Sequence, residues 1–223
     1  TVVMALVTGW LAGRIAAAAT LGFMMAWWIV FSVATDLHQR LWSSNARAKG
    51  SFEGARLLPR AMLGMWLAHL GVAAFAFGVS MVNSYGIERD VKMAFGDSVE
   101  VGGYVFTYRG VREIEGANYL AAQGIVEVTR NGQPVVTMQP EKRRYRVQQN
   151  AMTEAAIDTG FTRDLYVSLG EPVGDDAWIV RVHVKPFIDW IWGGCVLMAL
   201  GGGLAASDRR YRAASRERAR ITT

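Results

Sequence analysis

One histidine stands alone in a long apolar stretch of the sequence. The run Ala61–Asn83 has 23 residues, and His69 is its only ionisable side chain. At about 1.5 Å per residue, a helix of this length crosses the hydrocarbon core of a bilayer. An ionisable group is costly inside lipid, so it indicates a functional site. An imidazole there is suited to bind a metal or haem iron between helices. The alternative is a packing residue, hydrogen-bonded to a neighbouring helix.

The residues around His69 leave both alternatives open. Gly64, Ala68 and Gly71 lie near it along the helix, and Trp66 is one turn away on the same face. Small residues allow close approach of either a flat ring system or a second helix to the backbone. Plain helix packing explains the glycines alone, but it explains their placement around a buried histidine less well. No other apolar run contains a histidine, so a bis-histidine site needs a ligand from elsewhere.

The sequence shows no arrangement typical of a self-contained enzyme, and we assign no catalytic residue. It contains no Gly-rich phosphate loop, no Ser-His-Asp spacing and no carboxylate pairing that favours acid–base catalysis. Its one cysteine, Cys195, excludes an intrachain disulfide, a C-x-x-C redox pair and a c-type haem attachment motif. Any thiol chemistry must therefore use cysteines of a partner.

Apolar residues make up 52% of the sequence and gather in three runs, each of about 20 residues. We expect each run to be a membrane-spanning helix. The preceding residues 1–14 are apolar but too short to span alone, so we expect them to end an upstream span or to form an outer loop. Without an initial Met or a signal-peptide pattern, the chain is expected to be the C-terminal part of a larger membrane protein. The predicted segments are helix 15–35, a basic loop 36–60, helix 61–83, a β domain 84–186, helix 187–206 and a basic tail 207–223.

The net charge of +5 is distributed unevenly among the segments outside the spans. The loop 36–60 has five basic and two acidic residues, and the tail 207–223 has six basic and two acidic residues. The middle of the chain, residues 84–189, has 12 basic and 15 acidic residues. A basic excess beside the spans follows the positive-inside rule, which places the loop and the tail in the cytoplasm and the middle domain on the opposite side. The pattern indicates a lipid bilayer as partner and argues against nucleic acid.

The middle segment, residues 84–186, has the pattern of an all-β domain. Asn131-Gly132 between two alternating runs is a hairpin signal, and residues 178–184 alternate as in a half-buried strand. Short strands with turn signals predict a small barrel or sandwich, inserted between two membrane helices.

Two polar features outside the apolar runs have alternative explanations. We expect His183, on the polar face of the last strand, to be an exposed surface residue, and the alternative is a substrate or haem contact near the membrane. The basic cluster Glu141–Arg144 is interpreted as a solvated strand end, and the alternative is a patch for an acidic partner such as haem propionates. His38, in the basic loop, is expected to be an exposed surface residue.

Several stretches between Gly64 and Arg212 resemble the C-terminal part of the CcmF family, the haem lyases of the cytochrome c maturation system. The run Gly64–Ala73 is similar to the late transmembrane segment of that family. The other stretches follow in the family's order and together are specific: Pro140–Arg143 with Tyr145, Met152–Ile157, Asp164–Pro172 and Lys185–Gly194.

The resemblance implies a bacterial inner-membrane protein with its β domain in the periplasm, where the family joins haem to the C-x-x-C-H motif of apocytochrome c. It implies that His69 is one axial ligand of a haem b inside the membrane, binding the metal through the haem iron. We expect Trp66 and Gly71, which lie near His69 on the same helix, to pack against this haem. The implied partners are the remaining N-terminal part of the protein or a separate subunit, apocytochrome c, a haem chaperone and other maturation proteins.

The sequence departs from the full family pattern. The family's Trp-rich haem-handling segment and its two outward-facing histidine ligands are not found, so His38 and His183 inherit no ligand role. We therefore expect that this chain does not attach haem alone. Two other functions stay open: haem transport or delivery across or along the membrane, and a non-catalytic scaffold whose β domain docks apocytochrome or a haem chaperone. The sequence does not identify the second axial ligand.

Overall fold

A computed structural model of the protein describes residues 1–41, 59–147, 151–174 and 176–208. It divides into two compact units. The first, which we call the helical unit, comprises Thr1–Ser84 and Trp190–Thr223, and the second, the β unit, comprises Tyr85–Asp189. Apolar membrane helices with an inserted β domain are the fold class predicted from the sequence, and this prediction is confirmed.

The described part of the chain contains four helices. Three of them are long and apolar enough to cross a membrane, and the short first helix packs against the second, where Trp27 Nε1 donates to Thr8 Oγ1 at 3.0 Å. The helices are α1 (Val2–Leu11), α2 (Ala17–Leu41), α3 (Arg60–Tyr85) and α4 (Asp189–Ala206).

Helix α2 continues beyond Thr35, the residue at which the sequence predicts the first span to end. Asp36 and Arg40 are one turn apart and form an ion pair, with Nε 2.9 Å from Oδ1. Such pairs support a helix in water, so the end of the apolar run marks the end of the lipid-compatible stretch and not the end of the helix. His38 therefore lies on a helix and not in a loop, and it is exposed as expected.

Glycines bring α3 and α4 into backbone contact. A Cβ atom at Gly64 would lie 2.4 Å from the carbonyl oxygen of Gly201, and one at Gly71 would lie 2.7 Å from the carbonyl oxygen of Gly194. No side chain fits at either position. Small residues at matched positions are a common device of membrane helix pairs, because dispersion contacts between backbones replace the hydrophobic effect that lipid does not supply.

The β unit is a sandwich of two antiparallel sheets. One sheet has the strand order β1-β10-β9-β8, and the other has the order β2-β3-β4-β6-β7, with β5 also paired to β4. The strands are β1 (Ile87–Ala94), β2 (Ser98–Val101), β3 (Tyr104–Glu115), β4 (Tyr119–Arg130), β5 (Gln133–Met138), β6 (Glu141–Tyr145), β7 (Ala151–Glu154), β8 (Ala156–Asp158), β9 (Arg163–Val173) and β10 (Ala177–Pro186).

Two local predictions for the β unit are confirmed. Asn131 and Gly132 both have positive φ, at 52° and 75°, and they join β4 to β5 with Arg130 paired to Gln133. The alternation along β10 buries every second residue from Val180 onward. These valines meet residues of the facing sheet in one continuous core, whose largest fully buried side chains include Tyr108, Phe106, Met93, Leu165 and Leu169.

Candidate functional site

His69 lies in the first half of α3, and its imidazole is exposed on the surface of the helical unit. Its Nδ1 is 2.8 Å from the carbonyl oxygen of Met65, one turn earlier. A carbonyl oxygen only accepts hydrogen bonds, so Nδ1 is the protonated nitrogen and the neutral ring has its lone pair on Nε2. The backbone therefore fixes the tautomer of His69 and leaves Nε2 as the atom that can bind a metal.

Neighbouring helices cover two faces of α3 along part of its length. The glycine face, with Gly64 and Gly71, contacts α4 as described above. A second face contacts α2, where Ala73 and Ala76 are buried in one cluster with Ala26. His69 lies on the same side of the helix as these alanines, one and two turns before them, but its side chain is exposed, whereas theirs are buried. The helix is thus held from two sides, and its histidine is presented on a part of the surface that these neighbours leave open.

Trp66 and Gly71, the two residues predicted to pack against a haem, each have a packing partner within the chain. Trp66 is 6% exposed, and its Nε1 donates to Asp36 Oδ2 at 2.9 Å. Gly71 is buried against Gly194. These contacts account for both residues as parts of helix interfaces. Packing of Trp66 and Gly71 against a haem remains a prediction, and their burial is explained without it.

Two aspartates near α3 were not identified from the sequence. Asp36 binds Trp66 from α2, and Asp208, which is buried just beyond α4, accepts a hydrogen bond from the Ala61 N–H at 3.1 Å. The first N–H groups of a helix have no partner inside it, and a carboxylate near them is favoured by the helix dipole. The sequence contains a signal by which both could be found, because these acidic residues lie next to the ends of apolar runs in otherwise basic segments.

His183 lies on the outer face of β10, as expected, but the prediction that it is exposed is wrong. Its side chain is 15% exposed, and its ring meets the Tyr166 ring edge-on at 4.8 Å between centroids. Burial lowers its pKa below the usual range, and Glu88, whose carboxylate lies 3.6 Å from Nε2, opposes this only in part. The cross-strand aromatic partner, which depends on the register of β9 and β10, causes the burial.

The basic cluster Glu141–Arg144 forms strand β6, and two of its cations are paired within the β unit. Arg143 Nε is 2.7 Å from Glu141 Oε2, and its guanidinium lies over the Tyr119 ring. Lys142 Nζ is 2.7 Å from Glu171 Oε1. These pairs neutralise the charge locally and weaken the alternative of a patch for haem propionates. The side chains of Lys142 and Arg143 are only 14% and 26% exposed, so this part of the strand is less solvated than predicted.

The residues around His69 fit one half of a haem site. An axial imidazole needs a lone pair directed away from its helix, and metal-bound histidines almost always donate the other ring N–H to a carbonyl, a carboxylate or water. The bond to Met65 meets this second requirement. The other histidine of the membrane helices, His38, lies at the charged end of α2 beside Arg40. The described helices therefore offer one imidazole in an apolar stretch.

Comparison with known proteins identifies the family. The family model described as the CcmF C-terminal beta-sandwich matches residues 84–186. A cytochrome c-type biogenesis protein CcmF from Pseudomonas aeruginosa is 50% identical over 198 residues, which cover 89% of this chain and 29% of that protein. The chain belongs to the CcmF family and corresponds to its C-terminal part. The resemblance inferred from the sequence is confirmed.

Further CcmF relatives agree with this assignment. The CcmF protein of Escherichia coli is 41% identical over 213 residues, covering 95% of this chain and 31% of that protein. A solved structure titled Cytochrome c Heme Lyase CcmF matches with a TM-score of 0.73 at 19% identity, covering 92% of this chain and 33% of that one, and it shows the shared fold. The chain thus spans about a third of the length of the curated relatives that it matches.

Proposed function

We propose that this CcmF segment is part of a membrane haem lyase that attaches haem to apocytochrome c, and that its own contribution is His69 as one axial ligand of a haem b inside the membrane. One observation supports the ligand role above all: an imidazole in an apolar helix has its Nδ1 bonded to the Met65 carbonyl and its Nε2 left for a metal. The names of the relatives support the biological context.

In this proposal, the residues of the chain orient the ligand. The Met65 carbonyl holds the imidazole plane. The Asp36–Trp66 hydrogen bond on one side of α3 and the glycine contacts with α4 on the other fix the rotation of the helix about its axis, and with it the direction of Nε2. When bound, a haem supplies one-electron transfer at its iron. The second axial ligand belongs to a helix beyond those described.

The proposed topology and partners follow from charge and family. The basic segments 36–60 and 207–223 lie in the cytoplasm and the β unit lies in the periplasm, in accordance with the positive-inside rule. The proposed partners are the N-terminal part of the same protein or a separate subunit, apocytochrome c with its C-x-x-C-H motif, a haem chaperone and other maturation proteins. The thioether bonds are formed by the complete assembly and not by this segment alone.

The ligand role is tested by spectra of the full-length protein that contains this segment, purified in detergent and recorded oxidised and dithionite-reduced. We expect the parent to show the sharp reduced α band of a bis-histidine haem b, and His69→Ala to lose most of it. His38→Ala and His183→Ala are the matched controls, and both should retain the band. An unchanged spectrum of His69→Ala would return this histidine to a packing role.

A second measurement separates the lyase from haem delivery. Haem that is a fixed part of a lyase should stay with the protein when an excess of an apo-globin is added. Rapid transfer of the haem to the globin would favour transport instead. Loss of apocytochrome binding with an intact haem spectrum, after changes in the β unit, would favour the scaffold.

A further inference from the structure

One end of the β unit lies close to both membrane helices along the chain. Ile87 at the start of β1 pairs in register with Val184 near the end of β10, so the chain enters and leaves the sandwich at the same end. Helix α3 ends at Tyr85 and α4 begins at Asp189. One residue joins α3 to β1 and two residues join β10 to α4, so at about 3.5 Å per residue both connections at this end are short.

Three turns lie at this end of the sandwich. The turn between β8 and β9 is adjacent to the end of β10, because Arg163 pairs with Pro186 and the Phe187 N–H donates to Thr162 O at 3.0 Å. The β2–β3 turn packs on Val184 through Gly102. The β4–β5 turn also lies here, because Arg130, which precedes it, donates a hydrogen bond to Tyr104 at the start of β3. We call the residues of this end the rim: Ile87, Tyr104, Arg130, Phe161 and Arg163.

Two rim arginines converge on one hydroxyl. Arg130 Nη1 and Arg163 Nε each donate to Tyr104 Oη at 3.1 Å, and both guanidinium groups lie over the Tyr104 ring, at 4.9 and 5.3 Å from its centroid. An oxygen that accepts two N–H groups directs its own hydrogen away from both. The cluster thus combines two cations and one O–H donor at a single point on the protein surface.

The charge of this cluster is only partly neutralised within the β unit. Arg163 forms an ion pair with Asp158, at 2.5 Å between Nη1 and Oδ2. Arg130 is exposed, and no carboxylate of the described residues lies within 4 Å of its guanidinium nitrogens. A guanidinium fixed by one hydrogen bond keeps further N–H donors for an anion, and its planar fork suits phosphate oxygens.

An exposed aromatic residue lies beside these cations. Phe161 is 74% exposed at the tip of the β8–β9 turn, two residues from Arg163. The turn has a defined shape, because the Gly160 N–H donates to buried Asp164 and the Arg163 N–H donates to Gly160 O. An apolar tip flanked by basic groups is the combination that binds the lipid interface, with the ring among acyl chains and the cations at the headgroups.

We propose that the rim is a lipid-binding site, in which Phe161 enters the bilayer interface and Arg130, Arg163 and Tyr104 bind the phosphate of an anionic lipid headgroup. The opposite end of the sandwich supports this choice of partner. There Phe95 is equally exposed, at 72%, but the exposed Arg109 is neutralised by Glu127 at 2.8 Å. Binding of the rim would hold the β unit in one orientation on the membrane. The proposal is independent of the haem role of His69.

The test uses the full chain in lipid nanodiscs and exploits its single cysteine. In a Cys195→Ser background, Phe161→Cys and, as the matched control, Phe95→Cys are labelled with a nitroxide. Power saturation then compares the access of oxygen, which concentrates in lipid, with that of a water-soluble nickel complex. We expect the label at 161 to be lipid-exposed and the label at 95 to be in water. Two water-exposed labels would overturn the proposal.

The headgroup part is tested with Arg130→Gln against Arg109→Gln, in discs of phosphatidylcholine with and without phosphatidylglycerol. We expect Arg130→Gln to lower the preference for phosphatidylglycerol about fivefold and Arg109→Gln to leave it unchanged. Equal preference in both variants would overturn the phosphate site. If Arg130→Gln instead weakened the binding of haem but not that of haem with both propionates esterified, the cluster would be a propionate site. That result would also overturn the proposed lipid phosphate site.

Discussion

The helical unit and the β unit are stabilised in different ways. The β unit encloses a continuous core in which Phe106, Val126, Val167 and Val182 are fully or almost fully buried. In the helical unit, only 17%, 33% and 11% of the most apolar 18-residue stretches of α2, α3 and α4 are buried. Their helices meet through glycine backbones and a few polar bonds, and most of their apolar surface faces outward.

This difference shows where partners are needed. A sandwich with its own core satisfies its apolar residues without help, whereas apolar helices with open faces require lipid or further helices to cover them. His69 lies on such an open face, together with exposed Met65. The helical unit, which leaves apolar surface uncovered, is therefore the one that carries the proposed ligand His69, and the β unit with its own core is the one that can act as a rigid attachment.

The largest effect should come from opening the core of the β unit. Phe106 is 0% exposed, and Phe106→Ala should lower the free energy of unfolding of the β unit by about 3–5 kcal/mol, because the lost ring leaves a cavity between the sheets. Thermal unfolding followed by circular dichroism measures this, with exposed Phe95→Ala as the control. If the helical signal melts together with the sandwich, the two units are not independent in stability.

A smaller effect is expected where the helices touch. Gly71→Ala places a Cβ within 2.7 Å of the Gly194 carbonyl oxygen, so α3 and α4 must separate. Overpacking of this kind costs about 1–3 kcal/mol. Denaturant unfolding in mild detergent measures it, and Gly193→Ala, where the added methyl meets no atom within 4 Å, is the matched control. Equal stability of the two variants would contradict the tight contact.

The polar bond between α2 and α3 should contribute less. Trp66→Phe keeps most of the ring volume but removes the N–H that donates to Asp36, and we expect a loss of about 1 kcal/mol. Trp28→Phe, at an exposed position on α2, is the control. The same unfolding assay distinguishes them, and a variant as stable as the parent would show that packing alone holds this interface.

The smallest effect concerns the pH response of the β unit. Burial raises the pKa of Asp164 above its usual value, so its stabilising contribution is complete in acid and is lost as the pH rises through the raised pKa. Asp164→Asn keeps the oxygen that accepts the Gly160 N–H and removes the charge. We expect the variant to melt higher than the parent at pH 7 and to match it at about pH 4. A parallel shift at both pH values would refute the role of charge.

The elements were predictable because their signals are local. Apolar runs located α2, α3 and α4, and the Asn131-Gly132 pair located a hairpin. The end of α2 was not predictable from hydropathy, because an ion pair between Asp36 and Arg40 extends the helix beyond the apolar run.

The surroundings of the candidate site were less predictable, because they depend on how helices rotate against one another. The sequence places Trp66 and Gly71 near His69, but their partners are Asp36 and Gly194, which are distant in the sequence. The same applies to His183, whose burial depends on Tyr166 in the neighbouring strand. Spacing along one helix identifies a residue that can bind a metal, but it does not identify the residues that surround it.

The pairing of Ile87 with Val184 has a consequence for the architecture of the chain. Paired residues of neighbouring strands are about 5 Å apart. The two points at which the chain enters and leaves the sandwich are therefore as close together as the two ends of a short loop. In effect α3 and α4 form a helical hairpin whose turn is an entire domain. A module attached in this way can be removed and replaced by a few residues, or exchanged for a homologous one, while the glycine contacts between the two helices are kept.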